Sequence, residues 1–188
     1  MDDERAVAID RAVLDALSAQ LPETPVAQPQ DSYPDYVIDS HSGLTRTSYL
    51  DILESQYQAR HLDLEARRLR SRGAGYYTIG GAGHEGNAAV AAALRPTDPA
   101  FLHYRSGAFF AQRSKQVDGM TPAFDVLLSL CASSDDPIAG GRHKVFGSKA
   151  LWIPPQTSTI ASHVPKAMGT AFAIDRAKRL NQPIPLQD

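Results

Sequence analysis

The run Gly80-Gly81-Ala82-Gly83-His84-Glu85-Gly86 leads straight into the alanine-rich stretch Asn87 to Leu94, and no other segment limits the possible folds as tightly. Glycines let the backbone turn sharply, and alanines let the following helix pack closely on its neighbours. A turn of this kind can present backbone amides to an anion. About one helix length further on, His103-Tyr104-Arg105 adds a phenol and a planar cation. Together they are suited to holding a diphosphate.

The chain has 188 residues, 43% hydrophobic and 21% charged, which is ordinary for a globular domain with a core. A formal net charge of -2 gives no global attraction to nucleic acid. The one basic run, Arg67-Arg68-Leu69-Arg70-Ser71-Arg72, falls at the end of an expected helix, where it complements the dipole. Cys131, the single cysteine, cannot form an intrachain disulfide and reads as an inert thiol closing the apolar helix Phe124 to Leu130. No apolar run approaches the roughly 20 residues that cross a bilayer, so no membrane contact is expected. The acidic start Asp2, Asp3, Glu4 is unlike a secretory or mitochondrial leader, and a cytoplasmic location follows as an expectation.

Apolar spacing predicts an amphipathic helix over residues 3 to 20, then a proline-rich linker over 22 to 35. A long helix is expected from Thr45–Ser48 to about Arg72, stopped by Gly73, and a short strand-like piece at Tyr76-Tyr77-Thr78-Ile79. Shorter helices are expected over 84 to 94, 106 to 114 and 121 to 132, with a long glycine-punctuated loop over 137 to 158. Phe101-Leu102-His103-Tyr104 reads as a buried strand delivering Arg105 to its C-terminal edge, where open α/β sheets place ligands. The last helix spans about Ala161 to Lys178.

Several blocks, in order, resemble the alpha subunit of the thiamine-diphosphate-dependent first component of 2-oxo acid dehydrogenase complexes, the branched-chain type more than the pyruvate type. They are Gly83 to Asp98, Phe101 to Arg105, Gly140-Gly141-Arg142 with Phe146 to Lys149, and Gln156 to Ala171, and the resemblance covers roughly residues 40 to 180. It implies an α/β fold: a partial thiamine-diphosphate-binding fold, helices around a mostly parallel sheet, with an N-terminal helical arm. Residues 1–40 would be the arm and linker, and residues 41–188 an incomplete thiamine-diphosphate-binding domain. Whether the arm reaches a neighbouring subunit or docks on its own domain stays open.

The resemblance further implies that Tyr104 and Arg105 contact the terminal phosphate, and that Ser158 and Ile160 flank the aminopyrimidine. There Ile160 would prop the coenzyme in a bent shape. Around the same loop it implies a monovalent-cation site, such as one for potassium, using Thr157, Thr159 and Ser162. His163 stands where relatives often carry Gln, and Val145 where branched-chain relatives carry His, with His143 two residues away. The Gly-Asp-Gly segment and Asn that hold magnesium in the family would fall after Asp188, so magnesium ligands are expected to be absent, and the piece alone inactive. No catalytic residue is assigned. Glu85 is expected to be a helix N-terminal acid stabilised by the dipole.

The implied function is oxidative decarboxylation of a branched-chain-like 2-oxo acid, with acyl transfer to lipoyl. Partners would be the beta subunit or beta domain and a lipoyl-bearing acyltransferase. The alternative is a non-catalytic assembly module that docks on a partner dehydrogenase subunit. A hydrolase built on Ser158 or Ser162 with His163 is disfavoured, because the chain has no Gly-x-Ser-x-Gly elbow.

Overall fold

The computed structural model describes residues 34–76, 79–142 and 145–184, together with Ala8, Arg11, Ala12, Asp15, Ala16 and Ala19. The chain divides into two units, Met1–Arg46 and Thr47–Asp188. In the first, those six isolated positions are helical and exposed. The apolar positions of the expected arm, and most of its proline linker, lie outside the described residues.

The first unit closes on a hairpin that hydrophobic patterning did not reveal. Strand β1 (Val37–Asp39) pairs antiparallel with β2 (Leu44–Thr45), in register Val37 to Thr45 and Asp39 to Leu44. Asp39 organises the turn: its carboxylate accepts from the Ser42 hydroxyl and from the amides of Ser42 and His41. Those bonds, the hydroxyl first, hold this carboxyl below its ordinary range.

Helix α1 (Arg46–Ser71) opens the second unit and ends as the sequence predicts. Past its last turn, Gly73 donates to the Arg70 carbonyl and Ala74 to that of Leu69, which satisfies the terminal carbonyls. The buried residues of α1 are Ser55 and Ala66. Its aromatics Tyr49 and Tyr57 are exposed, so the helix packs through small and polar positions rather than through its largest apolar ones.

Next come α2 (Asn87–Ala93), α3 (Gly107–Ser114) and α4 (Pro122–Leu130), then β3 (Phe146–Ser148), β4 (Ile153–Gln156) and α5 (His163–Arg179). Helix α2 packs on α3, and its Ala88 and Ala91 have no exposed surface, which is the close approach that alanine permits. The core gathers Phe109 and Phe110 of α3, Ala91, Ala100, Leu102, Leu151 and Ile153. Each fully buried large side chain contributes roughly 1.5–3 kcal/mol, so the two phenylalanines and two branched residues anchor α3 to the β3–β4 hairpin.

Two polar connections fix α3. Ser55 donates its hydroxyl to the Gln112 side chain at 2.8 Å, tying α1 to α3. Arg113 is 0% exposed, its guanidinium 4.8 Å from the centre of the Phe109 ring. It donates to the Asp98 carbonyl at 2.6 Å and the Leu151 carbonyl at 3.3 Å, joining three segments from inside the core. Burial lowers its proton affinity, against the pull of Asp98.

Among the described residues the architecture is mixed α/β, with five helices and two small antiparallel sheets, β1–β2 and β3–β4. This corrects the expected mostly parallel sheet. Parallel pairing needs a second strand reached by a crossover, and Phe101-Leu102-His103 has no such neighbour: it is irregular chain, with Tyr104 and Arg105 in a turn. The adjoining Ala100 amide instead donates to the Trp152 carbonyl. The loop expected over 137 to 158 contains the β3–β4 hairpin, and α4 is half-buried with Phe124 exposed rather than a buried helix.

Candidate functional site

The glycine turn, the His103-Tyr104-Arg105 turn and the start of α5 meet. Arg105 donates its guanidinium to the Gly80 carbonyl at 2.6 Å, which holds the two turns together across 25 residues. A side chain there would crowd it: a Cβ on Gly81 would lie 3.2 Å from the Arg105 carbonyl oxygen, so the backbone of one turn would have to give by a few tenths of an ångström. At the other side, the His103 ring centre is 5.4 Å from that of His84, edge to face, and 5.7 Å from that of His163, the first residue of α5. The block carrying Tyr104 and Arg105 is thereby brought to the end of the 157–163 segment.

The glycine turn itself behaves differently from its expected role. The Gly81 amide donates to Asp63 Oδ2 at 2.6 Å, and the Gly83 amide donates to Glu85 Oε2 at 2.7 Å. Two amides that could have met an external anion are thus occupied by the chain's own carboxylates. Glu85 does sit just before α2, as expected, but its hydrogen bond is to the turn. Asp63 comes from the middle of α1; burial raises its pKa, and the Gly81 amide with Arg60 and Arg105 only partly offsets that.

Anion-directed donors therefore concentrate at residues 103–105. Half-buried Tyr104 and Arg105 stack loosely, the guanidinium carbon 5.5 Å from the phenol ring centre. Guanidinium has five N–H donors in a planar fork, so the bond to Gly80 leaves capacity for phosphate oxygens. His103 accepts the Arg105 amide at Nδ1, at 3.0 Å. Burial first, then the neighbouring His84, His163 and Arg105, lower its pKa.

A cavity of about 90 Å³ adjoins this cluster, lined by Ala59, Asp63 and Ala66 of α1 and by Gly81, Tyr104 and Arg105 among others. Ligand clefts begin near about 300 Å³, so this space takes a small group and not a whole coenzyme. A larger cavity of about 480 Å³ lies between α4 and the β3–β4 hairpin, with Met120, Val126 and Phe146 in its walls. Neither cavity was legible in the sequence, since the α1 wall is marked by small residues that hydrophobic patterning passes over.

In the second expected contact block, Ser158 is half-buried, and Ile160 is 84% exposed, an apolar side chain outside any core. The Thr157 and Thr159 hydroxyls bond each other at 3.1 Å, and the Ser162 hydroxyl donates to the Thr159 carbonyl at 2.9 Å. Gln156, 2% exposed, accepts from Lys166 Nζ at 3.2 Å, which fixes β4 to α5. His143 lies outside the described residues, and Arg142 turns back to the Ala139 carbonyl at 2.9 Å. Among the described residues, no group of three or more His, Cys, Asp or Glu side chains is arranged to hold a metal ion.

The sequence reading gave His103 no role of its own and overlooked its meeting with His84 and His163. Their separation along the chain gave no local signal, and only the fold assembles them. Set against known proteins, the chain matches no family model, no curated protein and no solved structure.

Proposed function

We propose that this chain holds the diphosphate end of thiamine diphosphate, as part of the alpha subunit of a branched-chain-type 2-oxo acid dehydrogenase first component. The observation that carries the reading is the meeting of the Gly80-Gly81 turn, the 103–105 turn and His163 around one cationic, donor-rich centre. The donor set fits a diphosphate: Arg105 and Tyr104 are half-buried beside three imidazoles, and the nearby carboxylates of Asp63 and Glu85 are engaged by glycine amides.

Bound there, the coenzyme would supply the electron sink for decarboxylation of a 2-oxo acid. Arg105 and Tyr104 would grip its terminal phosphate. Ile160, exposed on the neighbouring segment, would brace its ring portion, with Ser158 beside it. Magnesium prefers several oxygen ligands, and we assign it to no residue of this chain. The cation site at Thr157, Thr159 and Ser162 remains part of the proposal. Partners would be the beta subunit and a lipoyl-bearing acyltransferase.

The test is a titration of the isotopically labelled full chain with thiamine diphosphate and magnesium, followed by amide spectra. Millimolar ligand should shift Gly80, Gly81, Tyr104, Arg105 and Ser158 together, whereas thiamine without phosphates should not. Arg105→Ala should weaken binding by about tenfold or more, because a charge-assisted pair is lost. Arg105→Lys, which keeps the charge but not the fork, should fall between. Equal responses to thiamine and thiamine diphosphate would refute the assignment.

A second reading is favoured by one observation: Val164, Met168 and Phe172 form an exposed apolar stripe at helical spacing along α5, with exposed Ile160 in the turn just before it. Such a stripe suits an assembly module docking on a partner dehydrogenase subunit. Co-elution of the chain with a beta subunit in the absence of coenzyme, lost on Phe172→Glu, would favour it.

A further inference from the structure

We propose that His84, His103 and His163 form a seat for the phosphoryl group of the ligand, in which His103 serves as an uncharged hydrogen-bond donor. The inference rests on the reading that this centre takes a diphosphate. It adds to Tyr104 and Arg105 three contact residues, drawn from the glycine turn, the 103–105 turn and α5.

The geometry sets the proton on His103. Its Nδ1 accepts the Arg105 backbone N–H at 3.0 Å, so in the neutral ring the proton is on Nε2. The same turn is closed by the Ser106 amide on the His103 carbonyl at 2.9 Å, with the Ser106 hydroxyl facing the His103 amide at 3.4 Å. Ring orientation is therefore fixed before any ligand arrives. To become an imidazolium, His103 would have to give up the Arg105 amide.

Its surroundings oppose that charge as well. The groups facing His103 are His84 from the glycine turn, Tyr104 and Arg105 from its own segment, and His163 from α5, with no carboxylate hydrogen-bonded to it. No carboxylate compensates a charge on His103, and the nearest full cation is the Arg105 guanidinium, while Asp63 near Arg105 is held by the Gly81 amide. Unengaged N–H donors therefore favour an acceptor-rich anion as occupant. A transition metal is disfavoured by the same bond: a metal-bound imidazole donates its remaining N–H to an acceptor, whereas here the second nitrogen already accepts. An apolar ligand would leave the donors unanswered, and a single hydroxyl would answer only one or two of them. A phosphoryl group, with acceptor oxygens in several directions, can meet Nε2–H of His103, the two flanking imidazoles and the Arg105 fork at once.

Inorganic pyrophosphate titrated into the full chain labelled with nitrogen-15 at histidine tests this, read by long-range proton–nitrogen spectra at pH 7.5. His103 should show the Nε2–H tautomer before and after saturation, and the signals of all three imidazoles should move on one binding curve. His103→Gln keeps an uncharged donor and should hold the dissociation constant within about threefold, while His103→Phe should weaken it about tenfold or more. His103→Leu, compared at equal melting temperature, serves if the larger ring disturbs the turn. The inference is overturned if His103 becomes doubly protonated on binding, if Gln and Phe lose affinity equally, or if the imidazoles stay silent. Pyrophosphate binding that depends on Arg105 while the imidazoles are silent would sink this inference alone. No pyrophosphate binding at all would sink the diphosphate reading with it.

Discussion

Two residues of the site carry opposite pH signatures. Burial, then the nearby positive groups, lowers His103 below its ordinary 6.5, so the folded chain binds fewer protons there than the unfolded one. That contribution to stability is present above pH 6.5 and is lost as pH falls through the lowered value. Asp63 has the other sign. Burial raises it above the ordinary 3.8, so its contribution is present below that value and declines as pH rises through the raised one. Asp63→Asn keeps an acceptor for the Gly81 amide and removes the ionisation. It should therefore flatten the decline of denaturation free energy with pH above about 4, relative to wild type; an unchanged slope in urea titrations would contradict this origin. Tyr104 and Arg105 were legible as candidates in the sequence because a phenol beside a guanidinium is a chemical signal by itself. His103 was not, since its role comes from the Arg105 amide at its back and from two imidazoles 19 and 60 positions away.

At the scale of elements, helix boundaries were the readable part. Gly73 and the basic last turn announced the end of α1, and the alanine run announced α2. Hairpins were not readable, because β1–β2 and β3–β4 are too short to show alternation, and β4 carries Pro154-Pro155, which reads as loop. The β3–β4 pair survives those prolines through a close backbone approach. A Cβ on Gly147 would come within 3.0 Å of both the Ile153 carbonyl oxygen and Pro155 Cα. Neither neighbour is a flexible side chain, so Gly147→Ala should cost about 1–3 kcal/mol, measured as a lower midpoint in chemical denaturation. Because Leu151 and Ile153 enter the core from this hairpin, the loss should appear in the global transition and not as local fraying.

For the whole molecule, the expected parallel sheet is absent among the described residues, and α5 shows what this leaves uncovered. No residue of α5 is buried, and its Met168 and Phe172 are 76% and 66% exposed. A helix usually earns its stability from an apolar face packed on a neighbour. Here much of that face is left exposed, so the purified chain should enhance the fluorescence of anilinonaphthalene sulfonate. Met168→Glu with Phe172→Glu should remove most of that signal and leave the melting temperature within a few degrees, since neither side chain belongs to the core. Retained dye binding would place the apolar surface elsewhere. The fastening of α1 to α3 points to a firmer region. Ser55 and Gln112 are bonded out of reach of water, and Lys115 grips Glu54 at 2.6 Å one turn away. This double clasp joins the two helices that wall the small cavity near Arg105, α1 through Ala59, Asp63 and Ala66 and α3 through Gly107 and Ala108, so that wall behaves as a hinge-free jamb: it separates only when the surrounding fold does.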